Sequence, residues 1–231
     1  GLAALVSALL MAVAFLYSSN MSLMLRAHAF GEMTAGGTSG WQWNLADATL
    51  APRYLHMLLG AIAVGAIGLA GLGWLRRRTD PEFATWAMQF GCGCAAGATF
   101  VNTVVGSWWL FVLPRDVLLR FMGRDPAAAV ALMTGIGFGL LVLALCALGW
   151  RAKDPAPAVR WAAVAMLGTL VAMAITRDQL RESALAQMGL APATWVEPQW
   201  GPTLIFVTLL LMAIATIAWM VTALWQGRVE D

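Results

Sequence analysis

Residues 51–78 read APRYLHMLLGAIAVGAIGLAGLGWLRRR, and this stretch decides the fold. Between Tyr54 and Leu75 every residue except His56 is apolar, aromatic or small. About 20 apolar residues are needed for a helix to cross the roughly 30 Å hydrocarbon core of a bilayer. A backbone in lipid must also satisfy its own hydrogen bonds, which favours a helix over an open strand. The stretch therefore predicts a transmembrane helix.

Similar stretches recur along the 231 residues, of which 61% are hydrophobic and only 11% are charged. The mean hydropathy of +0.75 is far above that of a soluble domain. We therefore predict an all-α, polytopic membrane protein, a bundle of six transmembrane helices that forms a single transmembrane domain over residues 1–231. The net charge of +2 is too small to favour a nucleic-acid partner. The predicted spans are residues 2–25, 53–75, 84–112, 128–150, 158–176 and 203–225.

Six spans place both chain termini and two short loops on one membrane face, here called the terminal face. Three longer loops lie on the opposite face, here called the loop face. Arg and Lys are equally numerous on the two faces, but the terminal face has the more compact basic clusters and fewer acids. The positive-inside rule therefore places the terminal face in the cytoplasm, and we expect a multi-pass protein of a bacterial inner membrane. The loop face carries indoles suited to an interface, at Trp41, Trp43, Trp108, Trp109, Trp195 and Trp200.

Several functional classes lack their usual motifs in this sequence. The three cysteines, Cys92, Cys94 and Cys146, all lie in apolar stretches, which argues against a disulfide framework. No C-x-x-C-H motif is present, so covalently attached c-type haem is excluded from this chain. No P-loop, zinc-ligand pair or chain of intramembrane carboxylates occurs, which argues against an ATPase, a protease or an ion pump.

The chain contains two histidines, His28 just after the first span and His56 one turn into the second. The single loop between them returns both to the loop face. Imidazole is a common axial ligand of haem iron, and ionisable residues within a span are usually functional. We therefore predict that His56 and His28 are metal ligands of haem b. His28 as an interfacial polar residue and His56 as a hydrogen-bonded core residue remain the alternatives.

A methionine is the alternative second ligand, because a thioether also ligates haem iron. Met24 and Met173 lie nearest to helix ends on the loop face. Methionine also fills gaps in apolar packing, which would explain either residue without a ligand role.

Arginines near the loop face are predicted to hold the anionic propionates of the haem, because the guanidinium fork suits carboxylates. The candidates are Arg26, Arg53 and Arg177. Arg53 is favoured because it precedes His56 by three residues and so shares its helix face. Snorkelling of arginine to lipid headgroups is the alternative.

The densest charged cluster, ITRDQLRESAL at residues 175–185, is predicted to continue a helix out of the fifth span. It is interpreted as a solvated helix end. A site that accepts protons or contacts a quinol, through Asp178 or Glu182, is the alternative.

Two stretches, FLYSSNMSLMLRAHAF at 15–30 and NLADATLAPRYLHMLLGAIAVGAIGLAGLGWL at 44–75, resemble subunit I of the cytochrome bd quinol oxidases. In that family a helix ends in an Asn-x-x-Met-Gln-type motif, and the next helix opens with a haem b ligand. Asn20 fits the asparagine, Leu23 and Met24 stand where the Met-Gln pair would be, and His56 falls at the ligand position. The resemblance implies that His56 is an axial ligand near the outer face.

The departures from that family define the predicted function. The family's subunit I is longer and uses a further histidine and glutamates to hold its oxygen-reducing haems. Because this chain has only two histidines and no glutamate in the middle of a span, the resemblance implies a reduced relative that keeps one haem b and electron transfer without the oxidase chemistry. We expect a membrane b-type cytochrome subunit with one or more haem b, passing electrons between the quinone pool and a partner redox protein. The partner is expected to be a periplasmic c-type cytochrome, together with other membrane subunits.

The alternative function is a haem-free structural or anchoring subunit of a larger membrane complex. It is favoured by the scarcity of polar residues within the spans and by small residues at four-residue spacing, which permit close helix packing. The pairs are Gly93 with Gly97 and Gly135 with Gly139.

Overall fold

A computed structural model describes residues 1–24, 26, 31, 35, 43–187, 189 and 200–226. The fold is all-α, as predicted. Six helices within these residues are long and apolar enough to cross a membrane. The helices are α1 (Leu2–Met24), α2 (Leu50–Arg76), α3 (Pro81–Val112), α4 (Arg115–Leu119), α5 (Pro126–Arg151), α6 (Ala156–Gln187) and α7 (Trp200–Gln226), with a π-helical turn at Arg120–Arg124 before α5.

The described ends of the six long helices lie close to the predicted ones, except at the end of α6. This helix continues through the charged cluster to Gln187, as the sequence of residues 175–185 predicted. The chain forms two compact units, residues 1–191 and residues 192–231. Helices α1 to α6 belong to the first unit, and α7 belongs to the second. The single-domain organisation stays a prediction.

Two aspartate–proline pairs set the beginnings of α3 and α5. The carboxylate of Asp80 accepts a hydrogen bond from the backbone N–H of Phe83 (3.1 Å). The carboxylate of Asp125 accepts one from the backbone N–H of Ala127 (3.1 Å). The proline that follows each aspartate has no N–H to leave unsatisfied in the first helical turn. The residues at these two positions therefore determine where α3 and α5 begin.

The core of the first unit is lined mainly by alanine, which lets the helices approach closely. At Gly91 of α3, a Cβ atom would lie 2.6 Å from the backbone carbonyl oxygen of Ala66 in α2, so only glycine fits. Four residues connect α2 to α3, and near this connection residues equally far from it face each other, as Ala66 and Gly91 do. Alanines that are almost fully buried in this core are Ala63, Ala70, Ala84, Ala95, Ala162 and Ala165.

On the loop face, the segment between α3 and α5 packs against the end of α6. Arg120 in the π-helical turn donates hydrogen bonds to Ser183 Oγ of α6 (2.8 Å) and to Asp125 Oδ2 (3.0 Å). Phe121 is buried beneath this turn, and Leu180 of α6 packs against the same apolar cluster. The extension of α6 is therefore braced by the rest of the first unit.

Candidate functional site

The candidate site lies between α2 and α3, close to the loop face. Arg53 and His56 are three residues apart on α2. Asn102, Gly106 and Trp109 are four and three residues apart on α3. Residues at these spacings share one face of a helix. The register of the antiparallel pair then brings the two sets together.

The imidazole of His56 lies directly against Gly106. A Cβ atom at residue 106 would be 3.0 Å from both Nδ1 and Cε1 of the ring. The ring centroid of Trp109 lies 5.6 Å from that of His56, with the planes at 54°. Nδ1 is buried and has no hydrogen-bond partner among the described residues. The backbone carbonyl of Asn102 interacts with the imidazole electrostatically without completing a hydrogen bond to Nδ1.

The guanidinium of Arg53 lies over the same indole, with Cζ 5.6 Å from the ring centroid of Trp109. Its Nη2 donates to Oγ1 of Thr49 (3.2 Å), one turn earlier on the chain. Its Nε and Nη1 are buried and find no acceptor within the part of the chain that the structure describes. The cationic head is therefore held mainly by the aromatic face, a favourable arrangement for arginine.

Unsatisfied polar atoms are concentrated at this site. Across the described residues, seven buried side-chain nitrogen or oxygen atoms lack a hydrogen-bond partner. Five of the seven belong to Arg53, His56, Asn102 and Trp109. Each such atom costs about 1–3 kcal/mol, and more when the group is charged. Because this cost accumulates in one place, the cluster is typical of a binding site.

Further charges surround Arg53 on the loop face. The charges of Arg26, Arg177 and Asp47 all act on it. Arg26 forms an ion pair with Asp47 (3.2 Å), whose side chain is only 5% exposed. The structure thus brings together the three arginines that the sequence singled out. With a single carboxylate among these four groups, the site carries an excess of positive charge.

Hydrogen bonds tie the segment before α2 to the end of α1. Asn44 Nδ2 donates to Ser22 Oγ (2.6 Å), and Arg26 donates to Asn44 Oδ1 (2.9 Å). Ser19 Oγ donates to the backbone carbonyl of Trp43 (3.1 Å). The chain that leaves α1 and the chain that enters α2 therefore meet beside Arg53.

Of the three residues predicted as the second haem ligand, the structure describes the side chain of Met173 alone. His28 lies outside the described residues, and so does the side chain of Met24, whose backbone ends α1. The thioether of Met173 packs against Gly135 of α5, where a Cβ atom would overlap its methyl group. No group of three or more His, Cys, Asp or Glu side chains that could hold a metal ion occurs within residues that the structure describes.

The sequence reasoning missed Asn102 and Gly106 as parts of the site and assigned Trp109 to the membrane interface alone. The four-residue connection between α2 and α3 predicts that the two helices pair, but it does not identify these residues. Positions equally distant from this connection pair His56 with Val101, so the offset that places Gly106 against His56 had no signal in the sequence.

Comparisons of the chain with family models, with curated proteins and with solved structures found no match. The resemblance to cytochrome bd subunit I stays a prediction, and function has to be argued from the site.

Proposed function

We propose that the protein is a membrane b-type cytochrome subunit that binds haem b through His56. The proposal is supported by one observation, a partly buried imidazole within a transmembrane helix, turned so that Nδ1 lies against Gly106 of the neighbouring helix. Polar groups in lipid without a partner are costly, and ionisable ones usually mark function. The neighbouring cation Arg53 supplies the second chemical group that a haem requires, a partner for a propionate.

The residues present fit a haem that would be held through one imidazole, that of His56. Metal-ligating histidines usually hold the ring through one nitrogen, often against a backbone carbonyl, and ligate through the other. Here Nδ1 of His56 faces Gly106, so Nε2 is the nitrogen on the other side of the ring. We assign Nε2 as the ligand atom, and Arg53, Arg26 and Arg177 as partners of the two propionates.

His28 or Met24 would supply the second haem ligand, with Met173 as the remaining candidate. The hydrogen bonds of Ser19 and Ser22 hold the segment before α2 beside the end of α1, close to Arg53. His28 follows the end of α1 by four residues in the sequence, and Met24 is the last residue of α1. Met173 ranks after them because its thioether already packs against Gly135.

Haem b would supply a one-electron carrier near the loop face. The chain would orient it through His56, balance its anionic edge with arginines, and keep water away through the apolar α2–α3 contact. Electrons would pass between quinone in the lipid and a partner redox protein, for which we propose a periplasmic c-type cytochrome of a bacterial inner membrane. The chain would then be the electron-transfer subunit of a quinol-oxidising or quinone-reducing oxidoreductase.

A haem-free anchoring subunit is the second candidate, and one feature of the packing favours it. The ring of His56 and the methyl group of Met173 each fill the space left by a glycine on a neighbouring helix. Both side chains thus have a packing role that needs no cofactor.

A reduced-minus-oxidised visible spectrum with pyridine haemochrome quantitation tests the proposal. We expect a b-type band at about one haem per chain. His56→Ala should lose the band and retain its helical circular dichroism, whereas Met57→Ala, the exposed neighbour on α2, should retain both. A full haem complement in His56→Ala would refute the ligand assignment. A featureless spectrum from folded wild-type protein would favour the anchoring subunit.

A further inference from the structure

The unsatisfied atoms at the α2–α3 site are mostly hydrogen-bond donors. Nε and Nη1 of Arg53 and Nε1 of Trp109 can donate but cannot accept. None of the three is bonded to an acceptor within the described part of the chain. They belong to two side chains in direct contact, with Cζ of Arg53 5.6 Å from the indole centroid. A buried group of donors such as this requires a partner rich in acceptors.

The nearby carboxylate of the chain is already engaged. Asp47 is paired with Arg26 (3.2 Å) and accepts hydrogen bonds from the backbone N–H and the hydroxyl of Thr49 (2.9 and 2.8 Å). Its charge acts on Arg53, but so do the opposing charges of Arg26 and Arg177. The one carboxylate that acts on Arg53 is thus already paired, two further guanidinium groups act on it as well, and an anion is the partner that would balance these charges.

The position of the donors defines the kind of anion. Arg53 lies in the first turn of α2, and Trp109 lies in the last turn of α3, so both are at the loop-face end of their spans. A ligand that reaches this position from lipid has an apolar body and an anionic end at the interface. The indole N–H of Trp109 is buried, whereas the neighbouring Trp108 is 46% exposed. A tryptophan that only anchors the helix in the interface would resemble Trp108.

We infer that Arg53 and Trp109 form a seat for the oxyanion headgroup of an amphiphile dissolved in the membrane. The headgroup is a carboxylate or a phosphate, because both offer several acceptor oxygens to a guanidinium. It has two sources, a propionate of haem b or the phosphate of an anionic phospholipid. The first source rests on the proposed function, and the second is independent of it.

Two neighbouring tryptophans provide a matched test. Trp109→Phe removes the indole N–H and keeps an aromatic ring beside Arg53, whereas Trp108→Phe makes the same change at the exposed position. Arg53→Gln removes the cation. Arg53→Lys retains the charge without the guanidinium fork, and its binding should be intermediate between that of Arg53→Gln and the wild type. Thermal unfolding of each purified full-length variant checks that it is folded.

Two ligands are measured on the same preparations. Haem content is obtained from the pyridine haemochrome, and phosphatidylglycerol affinity is obtained by native mass spectrometry during titration in phosphatidylcholine nanodiscs. We expect Trp109→Phe to weaken binding of the occupant about tenfold, which corresponds to about 1.4 kcal/mol. Arg53→Gln should weaken it further, and Trp108→Phe should leave it unchanged.

The outcomes separate the two sources. Loss of haem in Trp109→Phe and Arg53→Gln, with full haem in Trp108→Phe, identifies the propionate as the occupant. A haem-free wild type whose phosphatidylglycerol affinity falls in the same two variants supports the seat and refutes the cytochrome. Equal binding of both ligands by wild type and variants overturns the seat. So does a wild type that retains neither ligand.

Discussion

Gly106→Ala tests whether the imidazole of His56 is positioned by the shape of α3. A Cβ atom at residue 106 would lie 3.0 Å from Nδ1 and Cε1, inside the 3.4 Å at which ordinary contacts begin. The indole of Trp109, 5.6 Å away, restricts the movement of the ring. Overpacking of a well-packed interior costs about 1–3 kcal/mol. The substitution should therefore destabilise the protein and displace His56.

Gly97→Ala on the same helix is the matched control. A Cβ atom at residue 97 would meet nothing within 4 Å. Both substitutions gain the higher helix propensity of alanine, up to about 1 kcal/mol, so this gain cancels in the comparison. The difference then isolates the contact with His56, and Gly106→Ala should be less stable than Gly97→Ala by about 1–3 kcal/mol.

Denaturant unfolding in detergent, followed by circular dichroism, measures that difference. Under the proposed function, the visible spectrum of the same samples reports on the ligand, because a displaced imidazole would shift the band of a bound haem b or reduce the haem content. Equal unfolding free energies for the two alanine variants, with unchanged spectra, would show that Gly106 does not position the ring.

Two further predictions concern packing and helix capping. Gly91→Ala should unfold more easily than Gly97→Ala by about 1–3 kcal/mol, because the new Cβ would lie 2.6 Å from a backbone oxygen of Ala66 that cannot turn aside; matching denaturation midpoints would contradict the close α2–α3 contact. Hydrogen bonds from the backbone N–H of Ala128, the guanidinium of Arg120 and the backbone N–H of Ala127 lower the pKa of Asp125 below its usual value of 3.8. A carboxyl whose pKa is lower when folded stabilises the protein above its unfolded pKa, and this contribution is lost as the pH falls through the folded value. Wild-type protein should therefore lose melting temperature below about pH 4 more steeply than Asp125→Asn, and parallel curves from pH 7 to pH 3 would rule out this role.

The spans could be predicted from sequence because lipid imposes a simple requirement of length and apolarity. His56 could be found for a related reason, since an ionisable side chain is conspicuous within an apolar helix. Gly106 and Asn102 could not be found in this way, because their role depends on the register between α2 and α3. That register follows from close small-residue packing, for which the composition of a single helix gives no signal.

The spacing of small residues was only a partial guide to the helix contacts. Gly93 lies against Trp150, and Gly135 lies against Met173, as expected of packing positions. Their partners in the predicted pairs, Gly97 and Gly139, face open space in the described structure. A helix that is apolar all round has no amphipathic pattern to show which side meets protein and which meets lipid.

Helix α6 is longer than a membrane crossing requires, and its extra length projects from the loop face. Its 32 residues, at about 1.5 Å per residue, extend about 48 Å, whereas the hydrocarbon core is about 30 Å thick. The segment from Ala156 to Thr176 is long enough for the crossing, so residues 177–187 project about 16 Å beyond it. Because Ser183 is bonded to Arg120, this projection has a fixed height. A water-soluble protein that approaches the loop face would contact this charged end of α6 before it contacted the lipid headgroups.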